Sequence, residues 1–204
     1  MRHDKTAETE CRPHGGRGMT VNRRTLGMVL FGTALAMCSL VVNPGPTAAV
    51  EVGEPAPGFT LPSTTGAGIS LSDFKGKKFV FLEFYAADFS PACAANLSAR
   101  KANHKSFEDL GVQVLGVSSN TTFSQQTFAE SLKLPYPLLS DFPDRKLMRS
   151  YGVLNERTMT ASRSFFLIDL QGVLRRKWII ENPTTTVVYS ETLLRDIREV
   201  IGKR

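Results

Sequence analysis

The chain has 204 residues, 42% of them apolar, 25 Lys/Arg against 19 Asp/Glu, and a net charge of +6. That length supports one well-filled domain with an appendage and is too short for two comfortable domains. The positive charge does not form a basic stripe interleaved with aromatic residues, which lends no support to a nucleic-acid-binding reading.

The first 49 residues read as an export leader. Arg23 and Arg24 precede the sixteen uncharged residues Gly27 to Val42, and Asn43-Pro44-Gly45-Pro46-Thr47-Ala48-Ala49 follows, the order of a basic region, an apolar region and a small-residue cleavage point. The apolar run falls short of the ~20 residues needed to span a bilayer, so removal is expected over permanent anchoring. Asn22-Arg23-Arg24-Thr25-Leu26 is similar to a twin-arginine signal, with a general secretory signal as the alternative, and Met19 is an alternative start. Leu35-Ala36-Met37-Cys38 departs from a lipoprotein box because Met37 stands where a small residue belongs. Six of the 25 basic and three of the 19 acidic residues lie in this leader, so the remainder, residues 50–204, carries +3. Cys11 and Cys38 go with the leader, which leaves Cys93 as a lone thiol in an exported domain.

After a Pro/Gly-rich lead-in, Phe59 to Leu61 and Ile69 to Leu71 flank a Gly/Ser/Thr turn and predict a small hairpin, with a helical turn from Ser72-Asp73. Lys78 to Tyr85 is apolar on both faces except at Glu83 and predicts a buried central strand. Pro91 to Leu110 predicts a helix, Val112 to Ser118 a second buried strand, and Ser124 to Leu132 a second helix. Pro137 to Asp141 predicts a short strand, Arg145 to Tyr151 a helical turn, and Ser164 to Asp169 and Val173 to Ile180 a hairpin across Leu170-Gln171-Gly172. Ser190 is the expected N-cap of a final helix with Leu193, Leu194, Ile197, Val200 and Ile201 on one face. Helices alternating with strands, closed by an antiparallel pair, predict a three-layer α/β sandwich of thioredoxin type with a mixed sheet.

The chemistry concentrates after the first long strand. In Ala86-Ala87-Asp88-Phe89-Ser90-Pro91-Ala92-Cys93, Ser90 suits an N-cap, Pro91 suits the first helical position because it lacks an N–H, and Cys93 falls at the third. A thiol there meets unsatisfied N–H groups and the positive end of the helix dipole, which favour thiolate over thiol. No acidic residue occurs from Pro91 to Phe107 to claim that position. A lone cysteine is otherwise most often a small buried hydrophobe, and the location at the carboxyl end of a central strand is what favours a site. Glu83, a carboxylate in an apolar strand, is expected to hold its proton more tightly and is a candidate proton relay, the alternative being a paired or edge position. His104, flanked by Lys101 and Lys105, is expected on the solvated surface. One Cys and one His cannot complete a metal site, and nothing in the pattern calls for a cofactor.

Asp88-Phe89-Ser90-Pro91-Ala92-Cys93 resembles the peroxidatic-cysteine signature of the peroxiredoxins. Leu134-Pro135-Tyr136-Pro137-Leu138-Leu139-Ser140-Asp141 and Arg163-Ser164-Phe165-Phe166-Leu167-Ile168-Asp169, with Gly172-Val173 after it, agree in order and spacing with the family's bacterioferritin-comigratory branch over residues 50–204. The resemblance implies a thiol peroxidase in which Cys93 attacks a hydroperoxide and becomes a sulfenic acid, Ser90 hydrogen-bonds the peroxide, and Arg163 stabilises the thiolate and the departing oxygen. With no second thiol in residues 50–204, it also implies an external reductant, a thioredoxin-like protein or a small thiol. Two positions depart from the family pattern. Ala86 replaces a proline that helps shield the cysteine, and Asn96 stands where many members have a glutamate that takes part in orienting the arginine. Alternatives of the same fold are thiol–disulfide oxidoreductases and copper-delivery proteins, which use paired cysteines where this chain has Ser90, and a silent binding domain.

Overall fold

The computed structural model describes residues 49–180 and 188–202, so the leader and its cleavage point lie outside the described residues. Among the described residues no helix is long and apolar enough to cross a membrane.

The hairpin β1 (Thr60–Pro62) and β2 (Gly68–Ser70) comes first, followed by a 3-10 turn Leu71–Phe74. The chain then runs through β3 (Phe79–Phe84), α1 (Pro91–Ala102), α2 (His104–Asp109), β4 (Val112–Ser118), α3 (Thr122–Leu132) and β5 (Leu138–Ser140). After α4 (Lys146–Ser150), a two-residue ribbon pairs β6 (Leu154–Asn155) with β7 (Thr160–Ala161). The closing elements are β8 (Ser164–Ile168), β9 (Leu174–Ile179) and α5 (Ser190–Gly202). The main sheet has the order β5-β4-β3-β8-β9, parallel among β5, β4 and β3 and antiparallel across β8 and β9, the mixed sheet that the pattern predicted.

Every residue of β3 is buried, as its two-faced apolar composition requires. Phe79, Phe81 and Tyr85 pack with Cys93 and Leu97 of α1, Phe107 of α2, Phe128 of α3, and Leu193, Leu194 and Ile197 of α5. Val80, Leu82 and Phe84 pack on the opposite face with Leu147 and Met148 of α4, Tyr151 and Phe166. The sheet therefore divides two separate apolar layers, with the cysteine in the α1–α5 layer.

Three expectations are corrected. The single helix over Pro91 to Leu110 is two, because at Asn103 the backbone leaves helical geometry (φ −110°, ψ 12°) and its N–H turns back to the Arg100 carbonyl at 3.2 Å. Beyond the break Phe107 is fully buried, 5.4 Å from the Phe81 ring. His104 is not a solvated residue: its side chain is only 15% exposed, its ring lies 5.7 Å from that of Tyr136, and Nε2 is 3.6 Å from Glu108. Ser190 is the first residue of α5, and its hydroxyl donates across to the Ala99 carbonyl of α1 at 2.8 Å.

Candidate active site

The loop leaving β3 is fastened before it reaches the cysteine. The Tyr85 hydroxyl donates to Asp88 Oδ1 at 2.8 Å, the Ser124 hydroxyl of α3 donates to Asp88 Oδ2 at 2.6 Å, and the Asp88 N–H donates to Asn120 Oδ1 at 3.3 Å. Burial raises the Asp88 carboxyl's affinity for its proton, and the hydrogen bonds from Ser124 and Tyr85 oppose that shift. Burial, reinforced by the Asp88 charge, holds the Tyr85 phenol well above its ordinary value, so it remains a donor. Phe89 then turns the chain in left-handed geometry (φ 60°), its ring 5.0 Å from that of Phe128.

Ser90 occupies the N-cap with extended backbone, Pro91 the first helical position and Cys93 the third, as the local sequence predicted. The Ser90 carbonyl accepts from Ala94 N at 2.9 Å, whereas the Ser90 side chain makes no cap hydrogen bond. Its backbone caps the helix and its hydroxyl is left for another partner. No acidic side chain stands in the first turn of α1. Cys93 is 1% exposed and is the one free cysteine among the described residues.

Arg163 reaches the thiol from the strand antiparallel to β3, immediately before β8. Its Nη2 lies 3.6 Å from Cys93 Sγ, and the residue is 3% exposed. Its carbonyl accepts from Ile180 N at 3.1 Å, which ties the backbone to β9. Cys93 and Arg163 thus meet at the amino end of α1, where Ser90 is the N-cap, the cysteine placed by local sequence and the arginine by the β3–β8 register. A buried guanidinium and helix N–H groups around a thiol favour its anion and any anionic transition state formed on it.

Both departures from the family pattern fall in this region. Ala86 packs against the apolar layer that holds Cys93, and the cysteine stays buried without the proline. Asn96 is fully buried; its Nδ2 donates to the Ala92 carbonyl at 2.8 Å and its Oδ1 accepts from Val188 N at 2.9 Å, so it fastens α1 to the segment leading into α5.

Residues 52–177 match the model of the AhpC/TSA family. The chain belongs to that family. It is 31% identical over 156 residues to the peroxiredoxin Bcp of Bacillus subtilis, covering 74% of this chain and 98% of that protein. It is 30% identical over 173 residues to the chloroplastic peroxiredoxin Q of Suaeda salsa, covering 80% of each chain. Among solved structures, AhpC of Enterococcus faecalis superposes with a TM-score of 0.67 at 26% identity, over 72% of this chain and 90% of that one. The protein is a thioredoxin-fold peroxiredoxin of the Bcp-like branch, a thiol peroxidase.

Glu83 is paired, the alternative to a relay. It is fully buried, and its Oε2 accepts from Arg100 Nε at 3.2 Å. Burial raises its affinity for a proton, while the charges of Arg100 and Arg163 and the Arg100 hydrogen bond oppose that shift. Arg100 was not legible as a site neighbour. It stands midway along the helix predicted over Pro91 to Leu110, yet it is fully buried, and only the isolated Glu83 signalled that some cation had to be near.

Proposed function

We propose that Cys93 is the peroxidatic nucleophile of this thiol peroxidase, with Ser90 and Arg163 as its partners in the site. The observation that carries the reading is the 3.6 Å approach of Arg163 Nη2 to Cys93 Sγ at the capped start of α1. The thiolate attacks the distal oxygen of a hydroperoxide; an S–O bond forms, the O–O bond breaks, and water or an alcohol leaves after taking up a proton. Sulfur is oxidised to sulfenic acid and the peroxide is reduced. The transition state carries negative charge on both the sulfur and the departing oxygen, so a fixed guanidinium lowers its energy more than that of the neutral peroxide. The unspent Ser90 hydroxyl is suited to hydrogen-bond the bound peroxide.

With Cys93 alone in residues 50–204, the sulfenic acid is resolved from outside. One external thiol condenses with it, releasing water and leaving a mixed disulfide, and a second thiol frees Cys93 and departs as a disulfide. Either a thioredoxin-like protein or a small thiol supplies both. The basic, apolar and small-residue order of residues 1–49 supports export with removal of that leader, so that the enzyme works outside the cytoplasm.

Stopped-flow mixing of reduced protein with hydrogen peroxide and an alkyl hydroperoxide, with a sulfenic-acid trap read by mass spectrometry, tests the chemistry. The adduct belongs on Cys93, and a rate no faster than that of free cysteine at the same pH would refute the assignment. For export, the intact mass of protein recovered from the extracytoplasmic fraction should start near Val50. Full-length chain retained in the cytoplasm would refute it.

A further inference from the structure

Glu83 and Arg100 at 0% exposure, Cys93 at 1% and Arg163 at 3% are buried on one face of the sheet. Glu83 lies opposite Phe165 in the antiparallel β3–β8 pair, and Arg163, two residues earlier, is its diagonal neighbour on the same face. Diagonal positions stand roughly 7–8 Å apart, a gap that an arginine side chain bridges. Glu83 Oε2 is held by Arg100, while Oε1 has no hydrogen-bond partner among the described residues. Arg100 is immobilised in turn: Nη1 donates to the Ser190 hydroxyl at 2.6 Å, Nη2 to the Val188 carbonyl, and its guanidinium lies 5.4 Å from the Phe165 ring centroid.

Buried charges are tolerated when matched. Here the Glu83 carboxylate lies between the Arg100 guanidinium that holds it and the Arg163 guanidinium that reaches Cys93. Arg163 is therefore shared, acting on Cys93 directly at 3.6 Å and on Glu83 across the diagonal.

We propose that Glu83, held by Arg100, is a positioning residue of peroxide reduction: its carboxylate takes part of the Arg163 charge and sets how strongly that charge acts on the Cys93 sulfur. The proposal rests on the assignment of Cys93 and Arg163 made above. It has a chemical rationale, since a thiolate stabilised further becomes more abundant but less nucleophilic, so dividing the charge keeps the sulfur reactive. Other titratable groups near the carboxylate are Tyr85, which follows β3, and Tyr136 before β5. Both phenols are held well above their ordinary range by burial and stay neutral.

The test is the pH profile of Cys93 alkylation by iodoacetamide in the full chain, for wild type, Glu83→Gln and Glu83→Asp. Removing a nearby negative charge favours the thiolate, so Glu83→Gln should move the midpoint downward. For charges about 10 Å apart at an effective dielectric between about 20 and 80, the shift is about 0.3 to 1.2 pH units. Glu83→Asp keeps the charge and should stay nearer to wild type. An unmoved or raised midpoint in Glu83→Gln, or an equal shift in Glu83→Asp, would overturn the proposal. Should Glu83→Gln fail to fold because Arg100 is left unmatched, the double variant Glu83→Gln/Arg100→Met removes both charges of the pair. Against Arg100→Met alone, which already lacks that cation, the double variant should titrate at a lower midpoint because it has lost the carboxylate as well, and an equal or higher midpoint would overturn the proposal. Alkylation involves no peroxide, so its outcome is separate from that of the peroxidase assay.

Discussion

Replacing Arg163 by Met removes the guanidinium while keeping an unbranched side chain that adapts to a buried site. In the wild type Nη2 stands 3.6 Å from Cys93 Sγ, which at an effective dielectric of about 20 corresponds to about 4 to 5 kcal/mol between full charges. Part of that already stabilises the resting thiolate, so only the difference between thiolate and transition state appears in the rate. Loss of one preorganised donor to a developing anion costs about 2.7 to 4 kcal/mol, or roughly 10²- to 10³-fold. The second-order rate constant with hydrogen peroxide should fall by that factor. Stopped-flow rates across pH, each divided by the thiolate fraction from iodoacetamide alkylation, separate a lost transition-state contact from a simple loss of thiolate. A urea melt of the same variant establishes that it is folded. A decrease of less than about threefold per thiolate would remove Arg163 from the chemistry.

Ser90→Ala separates capping from catalysis. Because the hydroxyl makes no cap bond, stability should change by less than about 0.5 kcal/mol instead of the ~1 kcal/mol of a typical cap loss, while the peroxide rate falls roughly tenfold; a large stability loss with an unchanged rate would reverse the assignment. Arg100→Met leaves the fully buried Glu83 without its cation and should cost about 3 to 5 kcal/mol in urea unfolding. A cost below about 1 kcal/mol would mean that the pair is not a buried ion pair in solution. Gly116→Ala in β4 would place a Cβ 2.5 Å from Leu138 Cδ2 and 3.5 Å from Tyr85, so it should destabilise by about 1 to 3 kcal/mol. Unchanged stability would show that Leu138 repacks freely.

The β3 and β4 strands and the cap-proline-cysteine turn were legible because each depends on neighbours within a few residues. Strand burial follows from the apolar run, and the position of Cys93 follows from Ser90 and Pro91. The division of the long helix at Asn103 was not legible, since the same stretch satisfies helical propensity throughout and the break serves the burial of Phe107 on Phe81. Nor did the sequence reveal the role of Arg100, whose partners lie 17 residues away at Glu83 and 90 away at Ser190. Arg163 is intermediate. Family resemblance pointed to it, but its reach to a thiol 70 residues earlier depends on the antiparallel register of β3 and β8 and on where α1 lies over that pair. Local backbone chemistry thus determined where the thiol sits and that a helix start faces it. Tertiary packing alone decided which charges surround it, because a long cationic side chain becomes a site residue only when the sheet withdraws it from water and leaves it an anion to meet.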